Sequence, residues 1–252
     1  MTLTPRMFLI VCPLLFLAGF VDAIGGGGGL ISLPAYLFAG LPMHAAVATN
    51  KLSSACGTSL SAVRFIRNGL VNFRVALPGV AAAMAGAVLG ARLSLLASEQ
   101  LIRWMLPPVL AVAAFFVLNR HLFPDRADAP VAADRRTVTV CVIAAFLIGV
   151  YDGFYGPGTG TFLIIAFTVF AKMSVSRANA HTKVINLTTN VASLAVFLLG
   201  GQVVIALGLA AAACNMAGNY LGSGLVMTKG AKITRPMILI VLALLLLKLL
   251  TD

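Results

Sequence analysis

Long apolar stretches recur along the whole chain, and they limit what this sequence can fold into more than any other feature does. An α-helix needs roughly 17–25 predominantly apolar residues to cross the hydrocarbon core of a bilayer. The chain is 60% hydrophobic and only 10% charged, and its mean hydropathy is +1.03. A soluble domain needs far more polar surface than this. The sequence therefore predicts an all-α, polytopic integral membrane protein.

The charged and cysteine residues exclude several other classes of protein. The net charge is +11, which in a soluble protein would favour nucleic-acid binding. Here the basic residues lie in short loops, where they set the orientation of membrane helices, so nucleic acid is not an expected partner. Cys12, Cys56, Cys141 and Cys214 lie in apolar segments without the spacing of zinc ligands,. We therefore expect no metal site, no disulfide and no cofactor.

Three blocks of sequence occur twice, at nearly the same spacing. The offset is 130 residues at two aspartates and 132 from two lysines onward. A repeat of this kind predicts that both halves contain the same succession of segments. The blocks and their second copies are residues 22–29 with 152–160, 48–52 with 180–184, and 84–91 with 216–223.

Each half divides into five segments. In the first half they lie near residues 7–24, 28–41, 44–66, 75–97 and 101–119, and in the second near 137–155, 159–171, 178–199, 202–227 and 234–250. This division predicts a first membrane repeat over 1–119, a linker over 120–136 and a second membrane repeat over 137–252.

The second segment of each half is short and follows a run of glycines. As a helix it would rise only about 20 Å, less than the roughly 30 Å of the hydrocarbon core. Glycine weakens regular helix, so we expect broken or re-entrant helices at these two turns. The sequence alone leaves open whether the short segment spans the membrane or returns.

The placement of basic residues reverses between the halves. In the first half Arg64, Arg67 and Arg74 surround the turn after the third segment, whereas in the second half Lys172 and Arg177 lie before that segment. By the positive-inside rule the two repeats have inverted topology, with the linker cytoplasmic and both termini outside. Inverted repeats with broken helices are typical of secondary transporters, whose substrate site lies at the repeat interface.

Charged residues occupy equivalent membrane positions in the two halves. Asp22 and Asp152 end the first segment of each half, and Lys51 and Lys183 lie a few residues into the third. The lysines either extend to the membrane surface or offer a bound anion two positive charges near the axis. The aspartates either cap a helix or pair with a nearby lysine, or they couple transport to protons or another cation.

Uncharged groups near these positions complete a candidate anion site. Lys183, Asn186 and Asn190 are spaced i, i+3 and i+7, so they share one face of a helix. Glycine lets backbone N–H groups approach an anion closely, and the start of the following helix adds partial positive charge. The predicted substrate-binding residues are Lys51, Lys183, Asn50, Thr182, Asn186, Asn190, Gly27, Gly28, Gly158 and Gly160.

Two further patterns are interpreted as structural. Gly86 and Gly90, like Gly218 and Gly222, are four residues apart, which is typical of a small-residue face where two membrane helices pack closely. His181 adjoins this candidate site but has no metal-ligand spacing, so an interfacial or hydrogen-bonded histidine is the interpretation we favour.

The sequence resembles the TauE/SafE family, also called the sulfite exporter or toluene-sulfonate uptake permease family. The motifs that carry the resemblance are residues 19–22 with the glycines at 25–29, residues 49–52, and residues 149–160 with Lys183, Asn186 and Asn190. The resemblance covers nearly the whole chain. It implies a bacterial or archaeal inner-membrane permease for sulfur-containing anions such as sulfite, a sulfonate or sulfoacetate.

Together these patterns predict a multi-pass, secondary-active transporter of the cell inner membrane, with protons as a candidate coupling ion. The alternatives are an uncoupled anion channel, a transporter of a small organic anion without sulfur, and a structural partner of another complex. An enzyme is not expected, because the sequence has no HExxH motif, no nucleotide-binding motif and no serine–histidine arrangement,. The direction of transport and the oligomeric state, a homodimer among the alternatives, stay open.

Overall fold

A computed structural model describes residues 3–104 and 128–230, together with 232–234, 236, 237 and 240. Over these residues the regular secondary structure is helical, which confirms the all-α prediction. The helices are α1 (Pro5–Gly25), α2 (Gly29–Phe38), α3 (Met43–Arg67), α4 (Phe73–Leu96), α5 (Glu99–Trp104), α6 (Arg135–Phe154), α7 (Thr159–Val169), α8 (Val175–Leu199) and α9 (Ile205–Lys229).

These helices match the predicted segments to within a few residues at each end. In the first half α1 to α4 correspond to the first four segments, and in the second half α6 to α9 do. Most of the two last segments, predicted at 101–119 and 234–250, and residues 120–127 of the linker lie outside the described residues.

Among the described residues, five helices are long and apolar enough to cross a membrane, namely α1, α4, α6, α8 and α9. The 25-residue α3 is as long but less apolar, because polar residues such as Asn50, Lys51 and Ser54 interrupt it. The helices α2 and α7 have only 10 and 11 residues, which corresponds to a rise of about 15 Å. The protein is therefore a multi-pass membrane protein, and its described part includes two short apolar helices.

The distribution of polar and apolar side chains suits a lipid environment. Large apolar side chains such as Leu9, Leu96 and Leu199 are exposed, the last at 92%. Charged and amide side chains such as Lys183 and Asn179 are fully buried. Buried ionisable groups within a membrane segment are costly and mark functional or tightly paired positions, so the interior of the molecule is where its chemistry lies.

Glycines interrupt the helices where the sequence predicted a break. Gly26 ends α1 with a positive φ of 78°, and its N–H donates to the carbonyl of Asp22 at 2.9 Å. In the second half Gly156 and Gly158 have φ values of 98° and 84° just before α7. Glycine adopts this left-handed region without steric cost, so the run of glycines allows two sharp turns inside the protein.

The helix α1 packs closely against α9 through the predicted small-residue face. Gly218 faces Phe16 and Phe20, and Gly222 faces Phe20 and Ala23. A Cβ atom at Gly218 would lie 2.7 Å from the Phe20 nitrogen, which no real side chain could occupy. The residue numbers rise together along the two helices, so α1 and α9 run in the same direction.

The helices α4 and α6 make the equivalent contact. Gly86 faces Phe146 and Val150, while Gly90 faces Val150 and Phe154, with a Cβ at Gly90 lying 2.8 Å from the Phe154 nitrogen. Both small-residue faces were predicted as packing surfaces, and the structure confirms them. The helices α4 and α6 also run in the same direction as each other.

Further contacts establish the direction of these two helix pairs relative to each other. Asn215 of α9 lies against Gly57 of α3, and further along both helices Arg64 donates to Ser223 at 3.1 Å, so α3 runs with α9 and α1. The turn over residues 68–72 reverses the chain into α4. The short α2 and the turns beside it therefore carry the chain back from the end of α1 to the start of α3.

Candidate functional site

The two glycine-rich turns meet in the interior of the protein. Gly26 lies against Gly160, where a Cβ on Gly26 would come within 2.6 Å of the Gly160 Cα. Thr161 Oγ1 donates a hydrogen bond to the Gly25 carbonyl at 2.7 Å. Asn179 of α8 donates to two carbonyls in the last turn of α1, which are otherwise unsatisfied at a helix end. The broken helices of the two halves are therefore joined directly.

Two buried ion pairs flank this junction. Lys51 Nζ of α3 lies 2.9 Å from Asp152 Oδ2 of α6, and Lys183 Nζ of α8 lies 2.8 Å from Asp22 Oδ2 of α1. Both lysines are at most 1% exposed, so the interpretation that they extend to the membrane surface is wrong. Each aspartate does pair with a lysine, as one interpretation held, but the lysine belongs to the other half of the chain.

This pairing limits how the two lysines could offer their positive charges to an anion. Because Lys51 and Lys183 each have a carboxylate partner, the four groups carry no net formal charge as they stand. An ion pair held in a low-dielectric interior must offset the desolvation of both charges through close geometry. An anion can bind to one of these ammonium groups only if the carboxylate no longer pairs with it.

A polar cavity lies beside the ion pairs. Its empty volume, with the open space at its mouth included, is about 310 Å³. The predicted residues that line it are Asp22, Asn50, Lys51, Asp152, Gly160, Asn186 and Asn190. The structure therefore brings seven of the predicted residues from α1, α3, α6, α7 and α8 to one place.

The other predicted residues do not line this cavity. Lys183 lies behind Asp22, and Gly28 packs against Asp22 Cβ and the Ala18 carbonyl, where an added Cβ would lie at 2.6 and 2.7 Å. Gly27 and Gly158 belong to the turns that form the junction. Thr182 is fully buried, and its hydroxyl has no hydrogen-bond partner among the described residues.

Sequence reasoning also missed several lining residues, namely Gly26, Gly29, Ser54, Thr58, Gly156 and Thr159. A pattern in the sequence could have identified two of these residues. Asn50, Ser54 and Thr58 are spaced i, i+4 and i+8, so they share one helical face. The offset of 132 aligns Ser54 with Asn186 and Thr58 with Asn190, both of which were selected.

His181 is a structural residue beneath the turn that joins α3 to α4. The backbone N–H of Asn72 donates to its Nε2 at 3.1 Å, and its Nδ1 bonds the Arg177 carbonyl at 2.9 Å. Both ring nitrogens are thus occupied by backbone groups, which agrees with the favoured interpretation. Over the part of the chain that the structure describes, no group of three metal-ligating side chains is found.

Comparison with known proteins identifies the family. A sequence model described as "Sulfite exporter TauE/SafE" matches residues 11–249. The chain belongs to the TauE/SafE family. This TauE/SafE protein is 38% identical over 238 residues to the "Probable membrane transporter protein ORF9" of Sinorhizobium sp, which covers 94% of this chain and 90% of that protein.

Other relatives carry similar descriptions. "Probable membrane transporter protein YfcA" of Escherichia coli strain K12 is 36% identical, with 99% of this chain and 91% of that protein covered. "Probable membrane transporter protein YdhB" of Bacillus subtilis strain 168 is 27% identical, with 86% and 88% covered. No solved structure matches this chain. Family membership and the descriptions of these relatives support a membrane transporter.

Proposed function

We propose that this TauE/SafE protein is a secondary-active permease of the cell inner membrane that carries a small sulfur-containing anion through the cavity between its broken helices. The observation that carries this proposal is the pair of ion pairs that join the two halves beside that cavity, Lys51 with Asp152 and Lys183 with Asp22. They put positive charge, hydrogen-bond donors and exchangeable carboxylates at one interior point.

The directions of the helices support an inverted repeat. The helices α1, α3 and α9 run one way, while α4 and α6 run the other. The first helix of the second half, α6, is therefore antiparallel to the first helix of the first half, α1. Inverted repeats allow a central site to open to either side of the membrane by equivalent movements, which is the requirement for alternating access.

Burial of the lining side chains favours a transporter over a channel. Lys51 and Thr58 are 1% exposed, and Asp152 is 3% exposed. A site closed in this way must open before an ion can pass, whereas a conducting pore keeps its lining hydrated. Cross-half ion pairs also give the two halves contacts that can break and reform as they move.

The lining groups suit an oxyanion. The ammonium group of Lys51, the amides of Asn50, Asn186 and Asn190, and the hydroxyl of Ser54 offer donors around the cavity. A sulfite or sulfonate group presents three oxygen atoms that each accept hydrogen bonds, and bonds to a charged acceptor are stronger than neutral ones. The sulfur-containing substrate class rests on the family description together with this donor set.

Flux into proteoliposomes tests the proposal. The purified protein is reconstituted, and uptake of sulfite, methanesulfonate, sulfoacetate and acetate is compared with and without an imposed pH gradient. We expect saturable uptake of at least one sulfur-containing anion, accelerated by the gradient, and loss of that uptake in the charge-balanced double variant Lys51→Ala with Asp152→Ala. A preferred anion should also raise the melting temperature, since a ligand stabilises the state that binds it.

Three results would contradict the proposal in different ways. Uptake of acetate alone would make the protein a carrier of organic anions without sulfur. Large single-channel currents without saturation would make it a channel. Flux of none of the four anions, from protein that melts cooperatively, would remove the transport proposal for this substrate class.

A further inference from the structure

The two ion pairs occupy equivalent positions in the repeat, but they are not equivalent in their surroundings. Both members of the Lys51–Asp152 pair line the cavity. Of the other pair, Asp22 lines the cavity with a side chain that is 13% exposed, while the Lys183 side chain behind it is 0% exposed. An anion in the cavity can therefore approach Lys51 directly, but it can reach Lys183 only by displacing Asp22.

Lys183 is also fixed by a second bond that gives it a structural role. It donates both to the carboxylate of Asp22 and to the backbone carbonyl of the same residue. That carbonyl also accepts the N–H of Gly26, which closes the last turn of α1. A cation at a helix C-terminus satisfies free carbonyls and opposes the negative end of the helix dipole. Lys183 thus stabilises the break in α1.

From this asymmetry we infer that Lys51 is the cation that contacts the transported anion, and that Asp152 is its exchange partner. The inference rests on the proposed transport function. When Asp152 accepts a proton from the water on one side, its ion pair with Lys51 is lost, and the ammonium group is free to bind the anion. On the other side the anion leaves, Asp152 releases the proton, and the original pair reforms.

Charge balance in a low-dielectric cavity favours this exchange. The two ion pairs are neutral together, so an added monoanion would leave one uncompensated negative charge in the interior, which is costly. One proton on Asp152 removes that charge. For a monoanion the mechanism therefore carries one proton with each anion, and no net charge crosses the membrane.

Within the described residues, the ionisable groups near Asp152 are few, and Tyr155 at the end of α6 is one of them. Lys51 of α3 contacts it, Asp22 of α1 lines the same cavity with Lys183 of α8 behind it, and Tyr151 neighbours it on α6. The helix α7 has no titratable side chain. The arginines of α4, residues 74 and 92, are exposed at the surface. Asp152 is thus the carboxylate whose protonation frees the cation that faces the cavity.

The variant Asp152→Asn tests the inference, and the double variant Lys183→Gln with Asp22→Asn is its charge-balanced control. Methanesulfonate is added to proteoliposomes that contain a pH-sensitive dye. Because this anion stays ionised throughout, any proton that enters is carried by the transport cycle of the protein. In the wild type we expect methanesulfonate uptake to acidify the interior. In Asp152→Asn, methanesulfonate exchange between the two sides should persist, while proton entry and gradient-driven accumulation are lost. In the control, Lys183→Gln with Asp22→Asn, the site stays neutral, so melting temperature should fall while each transported anion is still accompanied by a proton.

A second pair of variants covers the case in which a single change prevents folding. Lys51→Gln with Asp152→Asn and Lys183→Gln with Asp22→Asn each remove a whole ion pair without leaving a lone charge. We expect methanesulfonate to raise the melting temperature of the second double variant but not of the first.

The inference is overturned if Lys183→Gln with Asp22→Asn, and not Asp152→Asn, separates exchange from proton entry, or if these two variants behave alike. It is also overturned if the two double variants lose the methanesulfonate shift equally. Absence of flux of every sulfur-containing anion in the wild type is a different result, because it removes the transport proposal and this inference with it.

Discussion

At the scale of single residues, the repeat places unlike side chains at like positions. Asn50 and Thr182 are equivalent, yet Asn50 lines the cavity and Thr182 does not. A hydrogen bond to a charged group contributes about 1.5–3 kcal/mol, which corresponds to about 10- to 150-fold in affinity. We predict that Asn50→Ala weakens methanesulfonate binding by an amount in this range, measured by titration of the purified protein.

The substitution Thr182→Val is the matched control. The Thr182 hydroxyl is buried without a hydrogen-bond partner among the described residues, and valine has nearly the same shape. Removing an unsatisfied buried hydroxyl costs nothing in hydrogen bonding and relieves its desolvation. Affinity should stay as in the wild type and the melting temperature should not fall. Equal losses of affinity in both variants would contradict the assignment of the cavity-facing residue.

At the scale of helices, the contact between α1 and α9 depends on the absence of a side chain at Gly218. We predict that Gly218→Ala lowers the stability of the folded protein by about 1–3 kcal/mol, the usual cost of overpacking. The added Cβ would meet the backbone of Phe16 and Phe20, which cannot move aside without separating the helices. The fall in melting temperature in detergent measures this cost.

The control lies on the same helix. A Cβ at Gly224 would meet the nearest atom, a guanidinium nitrogen of Arg64, at 3.4 Å, an ordinary contact with a flexible side chain. Alanine is favoured over glycine inside a helix by about 1 kcal/mol, so Gly224→Ala should keep or raise the melting temperature. A lower melting temperature for Gly224→Ala than for Gly218→Ala would show that the glycine face is not what joins α1 to α9.

The helices were predictable because their signals are local. Apolar runs and glycine turns are read along a single segment, and the observed ends of α1 and α7 agree with them. The pairing of Asp22 with Lys183 was not predictable in this way, because each aspartate has two lysines to choose from and spacing does not decide between them. Ser54 and Thr58 were overlooked because small hydroxyl residues are common in membrane helices and carry little signal alone.

At the scale of the whole molecule, an inverted repeat predicts on which side of the membrane each helix end lies. Arg67 and Leu199 are equivalent under the offset of 132, both are exposed, and each ends the third helix of its half. The excess of basic residues near Arg67 predicts that this end lies in the cytoplasm. If the halves are inverted, Leu199 lies on the opposite side of the membrane.

Single cysteines at these two positions measure the sidedness directly. In a background with alanine at Cys12, Cys56, Cys141 and Cys214, we predict that a membrane-impermeant maleimide labels Leu199→Cys in intact cells. Arg67→Cys should react only after the membrane is opened. If two helix ends that are equivalent in the repeat face different solutions, one repeat is inverted in the membrane relative to the other. Labelling of both from the same solution would mean that the halves are parallel, and a central site could then not open to both sides by equivalent movements.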